Sequence, residues 1–123
     1  MGSLINQPVK LHIHNCQELG PVFEVTEKRW ICALEKFPHL AKKIQVTFTN
    51  EERDLDKYLR EADILFCWDF DKTNFGERAP NLKWIHVHGA GVSHLRPFDW
   101  KPKEVIITNS RGVHGERAAE YVL

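Results

Sequence analysis

The chain has 123 residues, room for one domain with one core but not for two. Its 42% hydrophobic and 28% charged residues suit an ordinary globular protein, and 17 basic side chains against 17 acidic ones leave no net field to draw it to nucleic acid or an anionic membrane. No apolar run approaches the roughly 20 residues of a membrane span, and the opening MGSLINQPVK lacks the basic-then-apolar order of a secretory leader. Val9, Leu11 and Ile13 alternate with Lys10, His12 and His14, the period of a half-buried strand. After the Gly20-Pro21 break, FEVTEKRWICALEKF repeats its apolar residues (Phe23, Trp30, Ile31, Leu34, Phe37) at helical spacing until Pro38 stops it. Ile44 to Phe48 reads as a second strand and Glu51 to Ala62 as a short charged helix. DILFCW, Asp63 to Trp68, is a continuous apolar run, the pattern of a strand buried on both faces. A loop or short helix from Phe75 to Pro80 leads to a fourth strand, LKWIHVH, and then to a glycine turn. Val105 to Thr108 forms a fifth strand, and ERAAEYVL opens a last helix.

Strands alternating with helices point to βαβ units, and five of them suit a flavodoxin-like fold: a five-stranded parallel sheet with helices on both faces. Ligands in such folds sit beyond the carboxyl ends of the strands. Two stretches of this chain lie there, one after Trp68 and one after His88. Cys16, Cys32 and Cys67 are scattered and odd in number, which suits reduced thiols and a cytoplasmic protein. Cys32 and Cys67 lie in apolar runs and are expected as core filler.

The stretch WIHVHGAGVSHL, Trp84 to Leu95, admits three readings. A dinucleotide fingerprint needs G-x-G-x-x-G, yet His94 stands at the third glycine, and Asn109 and Ser110 stand where an acidic ribose contact is required. A metal site would use His86 and His88, two apart on one strand face, with His94 and His114 approaching from loops. No carboxylate stands at a metal spacing, and satisfied core or surface histidines account for these residues better; His12 and His14 repeat the pattern on the first strand. The third reading uses the backbone. A strand that ends in Gly-Ala-Gly and turns into a helix leaves convergent amide N–H groups, a nest for an anion of carboxylate size. Gly89 and Gly91 either serve such a nest or merely permit a tight turn.

NLKWIHVHGAGVSHL, followed after a spacer by VIITNSRGVHGERAAEYVL, resembles the D-isomer-specific 2-hydroxyacid dehydrogenase family in its GAGV turn and its TNS-x-G…AEYVL segment. The two motifs cover Asn81 to Leu123, and the first eighty residues fit the same family's βαβ pattern. The resemblance implies a flavodoxin-like substrate domain over residues 1–113 and the start of an interdomain connecting helix over 114–123. It implies that the turn at Gly89, Ala90 and Gly91 holds a small 2-oxo or 2-hydroxy carboxylate through the amides of Ala90 and Gly91. It also implies that the Cys67–Phe70 loop, with Trp68, lines the pocket, and that His114 takes a position near substrate that is asparagine in many members. Ser93 departs from the family's usual aspartate.

The family's Rossmann domain follows AEYVL and carries the catalytic arginine, acidic residue and histidine, none of which this sequence contains. NAD or NADP is therefore implied for an intact enzyme, and for this chain alone the expectation is neither cofactor binding nor catalysis. Stopping at Leu123 is also expected to expose Ala118, Ala119, Val122 and Leu123 on the last helix, which favours self-association. A non-enzymatic alternative is a stand-alone flavodoxin-like module that binds a carboxylate or a protein partner.

Overall fold

The computed structural model describes residues 8–15, 24–88 and 93–109. Five strands, β1 (Val9–His14), β2 (Ile44–Thr49), β3 (Ile64–Cys67), β4 (Trp84–Val87) and β5 (Ile106–Asn109), form one sheet in the order β2-β1-β3-β4-β5. Every pairing is parallel. This is the flavodoxin-like order. Three α-helices connect the strands: α1 (Glu27–Leu34), α2 (Glu52–Leu59) and α3 (Phe75–Arg78). The β1-to-β2 step runs opposite to the later steps, so right-handed crossovers place α1 on one face and α2 and α3 on the other.

Each helix starts where its sequence allows. The Thr26 hydroxyl accepts from the Arg29 N–H at the start of α1, an N-cap. Leu55 and Leu59, four apart on α2, are fully buried against the sheet. The core lies on that face. Leu65 and Cys67 of β3, Ile85 and Val87 of β4, Leu55 and Leu59 of α2, and Phe75 of α3 all belong to it, with Leu95 and Val105 from the β4–β5 connection. The Trp100 ring meets Phe70 and Phe75 edge-on at 5.3 and 5.2 Å between centroids, and those two phenyl rings tilt against each other at 5.0 Å, where that layer closes.

The opposite face is less covered. Ile64 and Phe66 are half-buried, so β3 is not buried on both faces as its apolar run implies. α1 carries no buried residue, which accounts for that gap and for an exposed Cys32, against its reading as core filler; Cys67 does lie in the core. The alternation on β1 also divides differently from the apolar rule. His12 and His14 are 1% and 4% exposed, whereas Val9 is 40% exposed. Among the described residues no helix is long and apolar enough to cross a membrane.

The two faces predict unequal mutational costs. Ile85→Ala, at a fully buried position, should lower the unfolding free energy by about 2–5 kcal/mol in urea titrations. Ile106→Ala, 63% exposed on the edge strand, should cost less than about 1 kcal/mol.

Candidate functional site

The carboxyl edge of the sheet gathers the ends of β1, β2, β3 and β4, and two hydrogen-bonded assemblies stand on it. The first involves His88 and His94, on either side of Gly89–Val92 in the sequence. Just before the turn, the His88 N–H donates to the Cys67 carbonyl at 3.0 Å. Just after it, His94 Nε2–H donates to the Trp68 carbonyl at 2.6 Å, and the His94 ring stacks on the Trp68 indole at 4.0 Å. A carbonyl only accepts, so that bond fixes the proton of His94 on Nε2. Trp68 also tilts against His88 at 6.2 Å and packs on the core. Trp68 thus joins His88 and His94 to the core. Gly89, Ala90 and Gly91, like His114, lie outside the described residues.

The expectation that the turn runs into a helix needs correcting. Ser93–Leu95 is a three-residue 3-10 turn, and Pro97, which lacks an N–H, follows it. No helix macrodipole can develop over three residues, so whatever draws an anion here must come from individual amides and not from a helix terminus.

Among the described residues no three His, Cys, Asp or Glu side chains stand where they could hold a metal ion. His86 Nδ1 is 2.7 Å from the Thr108 hydroxyl, which also accepts from the Trp84 indole N–H. His88 stacks on Phe66 at 5.3 Å, and His94 is committed to Trp68. Burial holds both His86 and His88 below the usual imidazole range.

The second assembly was not read from the sequence as a unit. The β1–β2 register sets His12 beside Thr47 and His14 beside Thr49. His12 Nδ1 lies 2.6 Å from Thr47 Oγ1, and His12 Nε2 lies 2.8 Å from Thr49 Oγ1. His14 Nδ1 lies 2.7 Å from the same Thr49 oxygen, and His14 Nε2 lies 3.0 Å from Glu52 Oε2 at the start of α2. The signal that reveals it is the paired spacing, H-x-H on one strand and T-x-T on its parallel neighbour.

The protons of this chain can be placed in turn. The Glu52 carboxylate accepts, so His14 carries its proton on Nε2 and accepts at Nδ1. The Thr49 hydroxyl then donates to His14 and accepts from His12 Nε2–H. His12 in turn accepts from the Thr47 hydroxyl at Nδ1. All bonds point one way, and every buried side-chain polar atom described has a partner. Glu52 is itself held at Oε1 by the Asp71 N–H, with Arg78 Nη2 at 4.0 Å.

A hydroxyl, an imidazole and a carboxylate in series have the connectivity of a nucleophilic triad. Thr49 is only 6% exposed, however, and its oxygen already sits between two imidazoles, so no substrate carbon can reach it. The arrangement can hold and move protons but cannot attack. Next to His14, Asn15 ties the edge together: its carboxamide accepts from the Val25 N–H at 2.8 Å and donates to Val25 and Asn50 oxygens at 3.1 Å.

Comparisons of the chain with protein-family models, with curated proteins and with solved structures find no match.

Burial, reinforced by the neighbouring His14, pushes His12 down to about 4, and burial also lowers His14 against the opposing pull of Glu52. A group whose folded value is depressed binds its proton more readily when unfolded. Stability is then fully present above the unfolded value of 6.5 and is lost as pH falls toward 4. His12→Gln removes this term. Between neutral pH and pH 4 the parent should lose about 3 kcal/mol more than His12→Gln, measured by urea unfolding at each pH.

Proposed function

We propose that this chain is a flavodoxin-like module that binds a small carboxylate at the carboxyl edge of its sheet, with the amides of Ala90 and Gly91 as the donors. The observation that carries the reading is the pair of hydrogen bonds on either side of the turn, from His88 to the Cys67 carbonyl and from His94 to the Trp68 carbonyl. They tie His88 and His94, which flank Gly89–Val92 in the sequence, to successive carbonyls at the end of β3. A binding loop whose ends are fixed loses less conformational entropy when a ligand orders it. Backbone amides that meet a carboxylate form charge-assisted hydrogen bonds, stronger than neutral ones. Trp68, stacked on His94, supplies an apolar wall for a short carbon skeleton.

A second reading makes the same module the substrate half of an NAD(P)-dependent D-2-hydroxyacid dehydrogenase. The GAGV turn and the TNS-x-G…AEYVL segment favour it. The residues of this chain do not fit a dinucleotide: His94 takes the third glycine position with its ring and Nε2 engaged by Trp68, and a 3-10 turn stands where a pyrophosphate-binding helix would begin. Hydride transfer would need residues beyond those present, and no catalytic step is assigned to this chain. Its part in such an enzyme would be to hold and orient the acid.

Titration with glyoxylate or pyruvate, followed by tryptophan fluorescence, should give a saturable change, because Trp68 stacks on His94, three residues past Gly91 in the sequence. Gly91→Val should abolish it, since a β-branched side chain crowds the amides. Equal responses from parent and variant would remove the turn from the binding site. NADH titrated against the same chain should show no saturation; saturation would overturn the assignment of the cofactor to other residues.

A further inference from the structure

We propose that Thr47, His12, Thr49, His14 and Glu52 form a proton relay that connects a small cavity beside β1 and β2 with the carboxyl edge of the sheet. The first end opens on a cavity of about 40 Å³ lined by Lys10, His12, Gln45, Thr47, Tyr58 and Glu61, large enough for water. The other end is the partly exposed carboxylate of Glu52, which also accepts from the Asp71 N–H of the β3–α3 loop. Between them, four contacts of 2.6, 2.8, 2.7 and 3.0 Å run without a gap.

The geometry permits transfer because the chain has two fully bonded arrangements. At rest, each donor points toward Glu52. When a hydronium ion in the cavity gives a proton to Thr47 and leaves as water, the Thr47 hydroxyl passes its own proton to His12 Nδ1. His12 releases its Nε2 proton to Thr49, and Thr49 passes its hydroxyl proton to His14 Nδ1. His14 is then an imidazolium with both N–H groups bonded, one to Thr49 and one to Glu52. His12 has exchanged its Nε2–H form for its Nδ1–H form. Transfer of the His14 Nε2 proton to Glu52 completes the passage: one proton has entered at Thr47, one rests on the carboxyl, and no heavy atom has moved. The reverse sequence resets the chain.

The imidazole that carries the charge on the way to Glu52 is His14 and not His12. Glu52 and Asp69 face His14 and favour its charged form, whereas His12 is stacked under the Tyr58 ring at 5.1 Å with no carboxylate bonded to it. The other groups around the relay are Lys10 on β1, paired with Glu61 at 3.5 Å; Cys67 on β3, whose buried thiol is pushed up; and Arg78 on α3, beside Glu52. Burial alone requires that both imidazoles be satisfied. It does not require that they share one donor direction, and the shared direction is what makes the chain a conductor.

The test is ¹⁵N NMR of the histidine-labelled protein, following the tautomers of His12 and His14 from above neutrality down to about pH 4. The expected spectra show both rings as Nε2–H at neutral pH. As His14 takes up its proton, His12 should change to the Nδ1–H form with the same midpoint. In Thr49→Val, which breaks the chain, the change at His12 should vanish, and in Thr49→Ser it should persist. A His12 that begins as Nδ1–H, or that keeps Nε2–H through the His14 transition, overturns the relay. Should Thr49→Val fail to fold, the parent and Thr49→Ser spectra decide the matter by themselves.

Discussion

The β1–β2 register is the constraint on which the rest of this edge depends. With Val9 beside Ile44, each imidazole on β1 meets a threonine hydroxyl on β2. A slip of one residue would turn the threonines to the other face of the sheet and leave two buried imidazoles without partners. Each unsatisfied group of that kind costs about 1–3 kcal/mol. β2 is an edge strand whose apolar residues are only half-buried, so burial specifies its register weakly. The polar pairs specify it strongly. They also set where α2 begins, because Glu52 must reach His14, and where the β3 loop lies, because the Asp71 N–H must reach Glu52.

The architecture was legible in the sequence because periodicity reports on faces and lengths. Alternation on β1, the short apolar run of β3 and the helical spacing ahead of Pro38 each name an element with little help from distant residues. Alternation does not say which face is inward. On β1 the apolar residues suggest one inward face, and the structure buries both at its carboxyl end, where His12 and His14 are buried with Ile13 between them. Two long-range partners decide this: Thr47, 35 residues away from His12, and Glu52, 38 away from His14. Single-strand patterning cannot carry such information. The same holds for Cys32, which lies in an apolar run yet is exposed, because a helix sets only one stripe against its sheet.

The carboxyl edge that carries the candidate site was legible at the level of topology. The carboxyl ends of β3 and β4 mark the edge in any parallel sheet of this order. What the chain does not display in linear form is how that edge is held. His94 reads as a candidate metal ligand or a failed fingerprint position until its Nε2 is found on the carbonyl of Trp68, 26 residues earlier. Its neighbours likewise read as a helix start until Pro97 limits them to a 3-10 turn.

The two assemblies of the carboxyl edge meet on one segment, the loop that follows β3. On its β4 side, His88 and His94 take the successive carbonyls of Cys67 and Trp68. On its β1 side, Glu52 takes the Asp71 N–H, and Cys67 pairs in register with His14. Between these anchors, Lys72 Nζ braces the loop from within, donating to the Asp69 carboxylate and the Phe70 carbonyl at 3.1 Å each. β1 is also the strand at which the sheet order reverses, so this loop borders the crevice where a fold of this kind receives a ligand. A proton that arrives on Glu52 weakens its grip on the Asp71 N–H, because a carboxylate accepts more strongly than a carboxylic acid. The effect is local, a few residues from Trp68. The two assemblies thus share one six-residue segment, Cys67 to Lys72, anchored from both sides.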